Sequence, residues 1–179
     1  THDGLSTALK LVDHAASAGA QAIKFQIFSA EQLVADKEQL FEYSILLSRE
    51  SGETKIVSEP LYDILKRREL SHHEWRKVRD YAGTKGLAFF GTIGFESDLK
   101  FLQEINCDSV KIASADINHA PLLRLAAKSG MCVQIDTGSA DLMEIKQAVQ
   151  ILESEGCYSI VIHQCPSGYP ARLPSICLN

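Results

Sequence analysis

Most of the short motifs that announce a chemistry are missing from this chain. Its 179 residues contain no HExxH, no CxxC, no G-x-x-x-x-G-K-[ST] and no G-x-G-x-x-G. That removes the helical zinc site, the paired thiols, the phosphate-cradling loop and the dinucleotide fingerprint. The five cysteines (Cys107, Cys132, Cys157, Cys165 and Cys177) are odd in number and widely spaced. Cys107, Cys132 and Cys157 fall where strands begin or run, a normal place for small buried side chains. A reduced, cytoplasmic protein is therefore expected rather than a disulfide framework. Positive charge is not in excess: 18 Lys and Arg stand against 23 Asp and Glu, a net charge of −5. Nothing general attracts the chain to nucleic acid or to an anionic membrane. No apolar run approaches the roughly 20 residues that span a bilayer. The opening THDGLSTALK is neither a basic-then-apolar signal nor a lipidation motif.

What is present is a rhythm. Five short apolar runs close on a polar residue: AIKFQ (Lys24, Gln26), LAFFGT (Thr92), SVKIAS (Lys111, Ser114), VQIDTG (Asp136, Thr137) and IVIHQ (His163). An amphipathic helical stretch precedes each, and Gly19, Gly86, Gly130 and Gly156 end four of them. This alternation predicts an α/β fold with a parallel sheet. In such folds ligands sit at the carboxyl ends of the strands, where these polar residues fall.

Along the chain the pattern predicts a helix over 7–18 and a strand over 20–28. Residues 29–57 are polar and charged, with Ser51 and Gly52 as a turn, and form an insertion that could cover a site. Pro60 suits a helix start. SHHE at Ser71 is a capping box with Glu74 and opens a helix that turns Trp75, Val78 and Tyr81 inward. Strands follow at 87–92, 109–113, 131–136 and 158–163, and helices at 96–105, 119–128 and 140–154. Thr137 or Ser139 would cap the last helix. Five strands fall short of the eight that an (β/α)₈ barrel of about 250 residues carries. An incomplete barrel, or part of a longer protein, is expected.

Two lysines at strand ends are unusual, because an unpaired ammonium is costly to bury. With the hydroxyls of Thr92, Ser114 and Thr137, Lys24 and Lys111 make a donor-rich, electropositive pocket suited to a phosphate or carboxylate. Taken singly, each lysine also fits a snorkelling or salt-bridged side chain. Asp116 and Asp136 are the acidic partners, which either offset the lysines or cap a following helix. His163 suits a general acid/base or a ligand, and equally a hydrogen-bonded core histidine. No pair of histidines has helical metal-site spacing, so no metal ligand is named.

Read in order, these segments resemble the NeuB-type sialic acid synthases. THDG followed by TALKLVDHAASAGAQAIKFQ is similar to that family's NHxG and GAxxVKFQ opening. LSHHEWRKVRDYAGTKGLAFFGT resembles a segment that closes on KGI-F-ST. VKIASADINHAPLLRLAAKSG resembles YKIASGDLTNLPLLEYIAKTGK, and DTGSADLMEIKQAVQILESEG resembles STGMATLEEIEEAVELLREAG. IHQCPSGYPARLPSICLN resembles LHCTSSYPAPYEDVNLN. The resemblance implies a (β/α)₈ TIM barrel, present here over 1–179 without its first and last strands, with an antifreeze-like domain usually following. It implies condensation of phosphoenolpyruvate with an N-acetylated amino-sugar aldehyde to a nonulosonic acid plus phosphate. It also implies a divalent metal, Mn or Mg, with ligands outside this chain. Lys111 and Asp116 would be catalytic; Lys24, Gln26, Thr92, Ser114, Ser167 and Tyr169 would bind substrate. The partners would be these small molecules, with neither nucleic acid nor membrane involved and a homodimer left open.

The sequence departs from the pattern at four places. Thr1 stands for an asparagine, Ile93 and Gly94 for Pro-Phe, and Asp136 for a serine; the loop from Gln164 to Gly168 is one residue longer. Two alternatives follow from the residues: a Schiff-base aldolase using Lys24 or Lys111, or a non-catalytic sugar- or phosphate-binding paralogue, for which Ile93, Gly94 and Asp136 speak.

Overall fold

Alternation of buried aliphatic strands with one-sided helices leaves the chain one economical solution, a parallel sheet with helices packed on it. The computed structural model describes residues 4–168, 171 and 173–176. In chain order the elements are α1 (Gly4–Ser17), β1 (Ala22–Gln26), α2 (Ala30–Leu33), β2 (Leu40–Leu46), β3 (Thr54–Pro60), α3 (Leu61–Lys66) and α4 (His72–Thr84). They continue with β4 (Ala88–Ile93), α5 (Glu96–Glu104), β5 (Ser109–Ile112), α6 (Ala120–Ala127), β6 (Cys132–Asp136), α7 (Leu142–Ser154) and β7 (Ile160–His163). Short 3₁₀ turns lie at Ser114–Asp116 and Leu173–Ser175. Five strands form one sheet in the order β1-β4-β5-β6-β7, every pair parallel. The expected parallel α/β sheet is present, and each strand lies within a residue or two of its predicted place.

Alternation along the strands gives the sheet two unlike faces. Val110, Ile112, Val133 and Ile135 turn to the helices and are 0% exposed. Leu102, Leu123, Ala126 and Leu152 meet them from α5, α6 and α7 within one continuous core. Full burial of an aliphatic side chain contributes roughly 1.5–3 kcal/mol, so this face holds the sheet in register. Gly91 lies on it in β4 because a Cβ there would come within 3.0 Å of Ile27 and 3.2 Å of Leu102. The opposite face carries Lys24, Thr92, Lys111, Asp136 and His163, and among the described residues no layer of helices covers it.

The segment 29–57, a polar insertion with a turn at Ser51 and Gly52 in the sequence, contains α2 and most of the antiparallel pair β2–β3, joined through Gly52 at φ 69°. Leu40, Phe41, Leu46 and Ile56 stay exposed on this hairpin, so its apolar residues do not follow the inside–outside alternation that reveals a strand. The cap of α7 is Asp141, not Thr137 or Ser139. Its carboxylate accepts from the Glu144 N–H at 2.8 Å, and Glu144 returns a bond from the Asp141 N–H at 3.0 Å. The capping box of Ser71 and Glu74 stands as expected, opening α4.

Candidate active site

The strand register brings the polar residues together. Gln26 pairs with Thr92, Thr92 with Lys111, and Lys111 with Gln134, which makes one rung across four strands. One rung nearer the carboxyl end, Asp136 pairs with His163. Lys24 lies one rung below Gln26 on the same face, and its Nζ reaches to Thr92 Oγ1 at 3.2 Å. Thr92 thus stands between the two lysines, and its side chain is buried.

Charge is unevenly shared. Lys111 Nζ lies 2.5 Å from Asp136 Oδ2, and each side chain keeps 17% exposure. Lys24 has no carboxylate contact among the described residues. Burial of its ammonium, and then the neighbouring Lys111, hold it below the ordinary lysine range, while Asp136 works the other way. Lys24 as a whole residue remains exposed on the open face, so the burial belongs to the ammonium's surroundings rather than to the full side chain.

A second network steadies His163. Ser109 Oγ donates to the Cys132 carbonyl at 3.0 Å and therefore accepts from Gln134 Nε2 at 2.6 Å. Gln134 Oε1 is left facing His163 Nε2 at 2.8 Å. An amide oxygen only accepts, so Nε2 carries a ring proton and donates it to Gln134. Thr137 Oγ1 donates to the His163 carbonyl at 2.8 Å and ties the ends of β6 and β7 together. Gln134 and Ser109 were not singled out in the sequence. Period-two alternation from Asp136 places Gln134 on the polar face, and that signal could have found it.

The other candidates lie around this centre. Ser114 and Asp116 form the 3₁₀ turn directly after β5, both half-buried. Asp116 makes no side-chain hydrogen bond or ion pair among the described residues, so of the two expected acidic partners only Asp136 offsets a lysine. Gln26 is exposed at the end of the edge strand β1. Ser167 Oγ donates to the Gly138 carbonyl and lies 3.2 Å from Ser139 Oγ, which holds the loop after β7 against the loop after β6. A Cβ on Gly138 would meet the Cys165 carbonyl oxygen at 3.0 Å. Tyr169 lies outside the described residues. No group of three His, Cys, Asp or Glu side chains placed to hold a metal occurs among the described residues. The implied divalent metal therefore has no ligand set among the described residues.

Two ammonium groups and a hydroxyl gathered at the carboxyl end of a parallel sheet suit an anionic ligand. Comparison with known proteins agrees with the sequence resemblance. A family model described as the NeuB family matches residues 11–179. The chain belongs to the NeuB family. The uncharacterized protein MJ1065 of Methanocaldococcus jannaschii is 34% identical over 182 residues, covering 99% of this chain and 47% of its own length. The N,N'-diacetyllegionaminic acid synthase of Legionella pneumophila is 31% identical over 184 residues, 99% of this chain and 49% of its own. Among solved structures, the N-acetylneuraminic acid (sialic acid) synthetase of Leptospira borgpetersenii, in complex with citrate, matches with a TM-score of 0.76 at 29% identity, covering 95% of this chain and 52% of that one. The chain thus spans about half the length of the curated relatives it matches. No helix among the described residues is long and apolar enough to cross a membrane.

Proposed function

We propose that this NeuB-family chain forms part of a nonulosonic acid synthase, which condenses phosphoenolpyruvate with an N-acetylated amino-sugar aldehyde. The observation that carries the reading is the placement of Lys24 and Lys111 on either side of Thr92, on the open face at the carboxyl ends of the strands. Phosphoenolpyruvate brings a phosphate and a carboxylate, and two ammonium groups on neighbouring rungs match two anionic groups on one small molecule. Lys24, Gln26, Thr92, Ser114, Ser167 and Tyr169 bind substrate in this reading, and Lys111 and Asp116 act at the reacting atoms. Carbon 3 of the enol attacks the aldehyde carbon, whose oxygen becomes a hydroxyl. Water adds at carbon 2, and the C–O bond to phosphate breaks. Holding both anionic ends fixes carbon 3 relative to the aldehyde, and such orientation removes much of the entropic barrier of a two-substrate reaction. In this proposal residues 1–179 belong to an incomplete (β/α)₈ barrel, whose site the insertion 29–57 would cover. A divalent metal would take its ligands from outside the described residues.

Phosphate release tests this reading, with the full-length protein, phosphoenolpyruvate, manganese and a panel of N-acetylated hexosamines. Release that depends on one of the sugars is expected. Release from none of them, with intact folded protein, would overturn it. A second reading draws on the surroundings of Lys24, which has no carboxylate contact among the described residues: burial of its ammonium and the neighbouring Lys111 favour its neutral form, the amine nucleophile of a Schiff base. Borohydride trapping with pyruvate would label Lys24 in an aldolase and leave a synthase unlabelled.

A further inference from the structure

Asp136 has no task in the proposed condensation, yet it occupies the cation on which that reading depends. Its carboxylate lies 2.5 Å from Lys111 Nζ in a setting where both side chains are largely withdrawn from water. Attraction between charges strengthens as the surrounding dielectric falls. Asp136 also acts on the ammonium of Lys24, which Lys111 repels. The open face therefore presents two ammonium groups and one carboxylate, and a dianion arriving at Lys111 meets the charge of Asp136 beside it. An ammonium has three donors, so Lys111 can share itself between Asp136 and a ligand, but at the cost of that repulsion. Asp136 is not needed to build the strand end: Ile135 anchors β6 in the core, and Thr137 makes the bond to β7.

We infer that Asp136 is a specificity-determining residue that competes with the anionic ligand for Lys111. It weakens the hold of the site on a bare phosphate. A ligand with a second anionic group, able to engage Lys24 and Thr92 at the same time, tolerates the competition better. The inference rests on reading this face as the phosphoenolpyruvate site, and it names the residue that sets the selectivity of that site.

The test is calorimetric titration of the full-length protein with inorganic phosphate and, separately, with phosphoenolpyruvate. Asp136→Asn removes the charge and keeps the size. Asp136→Ser is the second variant, and a thermal melt checks that each is folded. Phosphate should bind roughly tenfold more tightly to either variant, about 1.4 kcal/mol, and phosphoenolpyruvate should gain less. In a Lys111→Met background the gain from Asp136→Asn should vanish. An unchanged or weaker phosphate affinity, or a gain that survives without Lys111, would overturn the inference. Product formed from phosphoenolpyruvate by a protein whose Asp136 variants gain nothing would sink the inference and leave the proposed function standing. A phosphate gain in a protein that never binds phosphoenolpyruvate would overturn the proposed function and the selectivity with it, leaving only the competition of Asp136 for Lys111. Binding of neither anion to any variant would overturn both.

Discussion

Lys111 alternates with Val110 and Ile112, both fully buried against the helices, so its side chain leaves by the open face. That much follows from strand geometry alone, and it is why the sequence could nominate Lys24, Thr92 and Lys111 together. A charge-assisted bond from Lys111 to a phosphate or carboxylate contributes about 1.5–3 kcal/mol. Lys111→Met should therefore weaken phosphoenolpyruvate binding by roughly one to two orders of magnitude, at 1.4 kcal/mol per tenfold. The same change leaves the Asp136 carboxylate without its partner, a loss of about 1–3 kcal/mol. Affinity and melting temperature should both fall in the full-length variant. A lowered melting temperature with unchanged affinity would make Lys111 a structural counter-charge and remove it from the site. The sequence left open which acid answers which lysine. Asp116 follows the lysine-bearing strand and Asp136 ends the next one in the sequence, and only the parallel pairing of β5 with β6 sets Asp136 beside Lys111.

At the scale of elements, the strands and capped helices announce themselves and the hairpin does not. Ser71 with Glu74, and the glycine stops, are local signals that need no partner. The pair β2–β3 is joined by its antiparallel ladder and braced by a side-chain clamp across it. Arg67 donates to both carboxylate oxygens of Glu59, at 2.8 and 2.7 Å, and the Tyr43 hydroxyl donates at 2.5 Å. The Arg67 guanidinium, and then the Tyr43 hydroxyl, hold the Glu59 carboxyl down at about 2. A carboxyl lowered by folding contributes stability above its ordinary pKa and loses it as pH falls toward the folded value. The hairpin should therefore loosen between about pH 4.5 and 2. Amide exchange of residues 40–60 should accelerate over that range in the wild-type protein, and Glu59→Gln should be loose at neutral pH with no further step on acidification. If the variant shows the same acid step as the wild type, Glu59 is not the group responsible.

Across the whole molecule, β1 and β7 each have one neighbour in the five-stranded sheet. On β7, Val161 is 41% exposed and Ile162 51% exposed, although they point to opposite faces. Unpaired strand edges with apolar faces invite association. Residues 1–179 expressed alone should associate as concentration rises, detected by sedimentation velocity, and melt with little cooperativity. A monomer with one sharp transition at high temperature would show that these edges need no cover, and would count against the incomplete-barrel proposal. The resemblance implies a barrel, and the strand count an incomplete one. The sheet itself has five strands and two edges, so closure stays with the proposal.

The order of the five sheet strands and the helices between them, the burial of one strand face and the gathering of polar residues at the carboxyl ends were determined by the sequence itself. Each follows from local rules: helical and strand periodicity, chain-stopping glycines and the single direction in which parallel strands end. The ion pair of Lys111 with Asp136, the chain of bonds from Ser109 through Gln134 to His163 and the pairing of β2 with β3 were decided only in three dimensions. These depend on which strands become neighbours and in what register, and a period-two pattern fixes the face a side chain takes but not the partner it meets there.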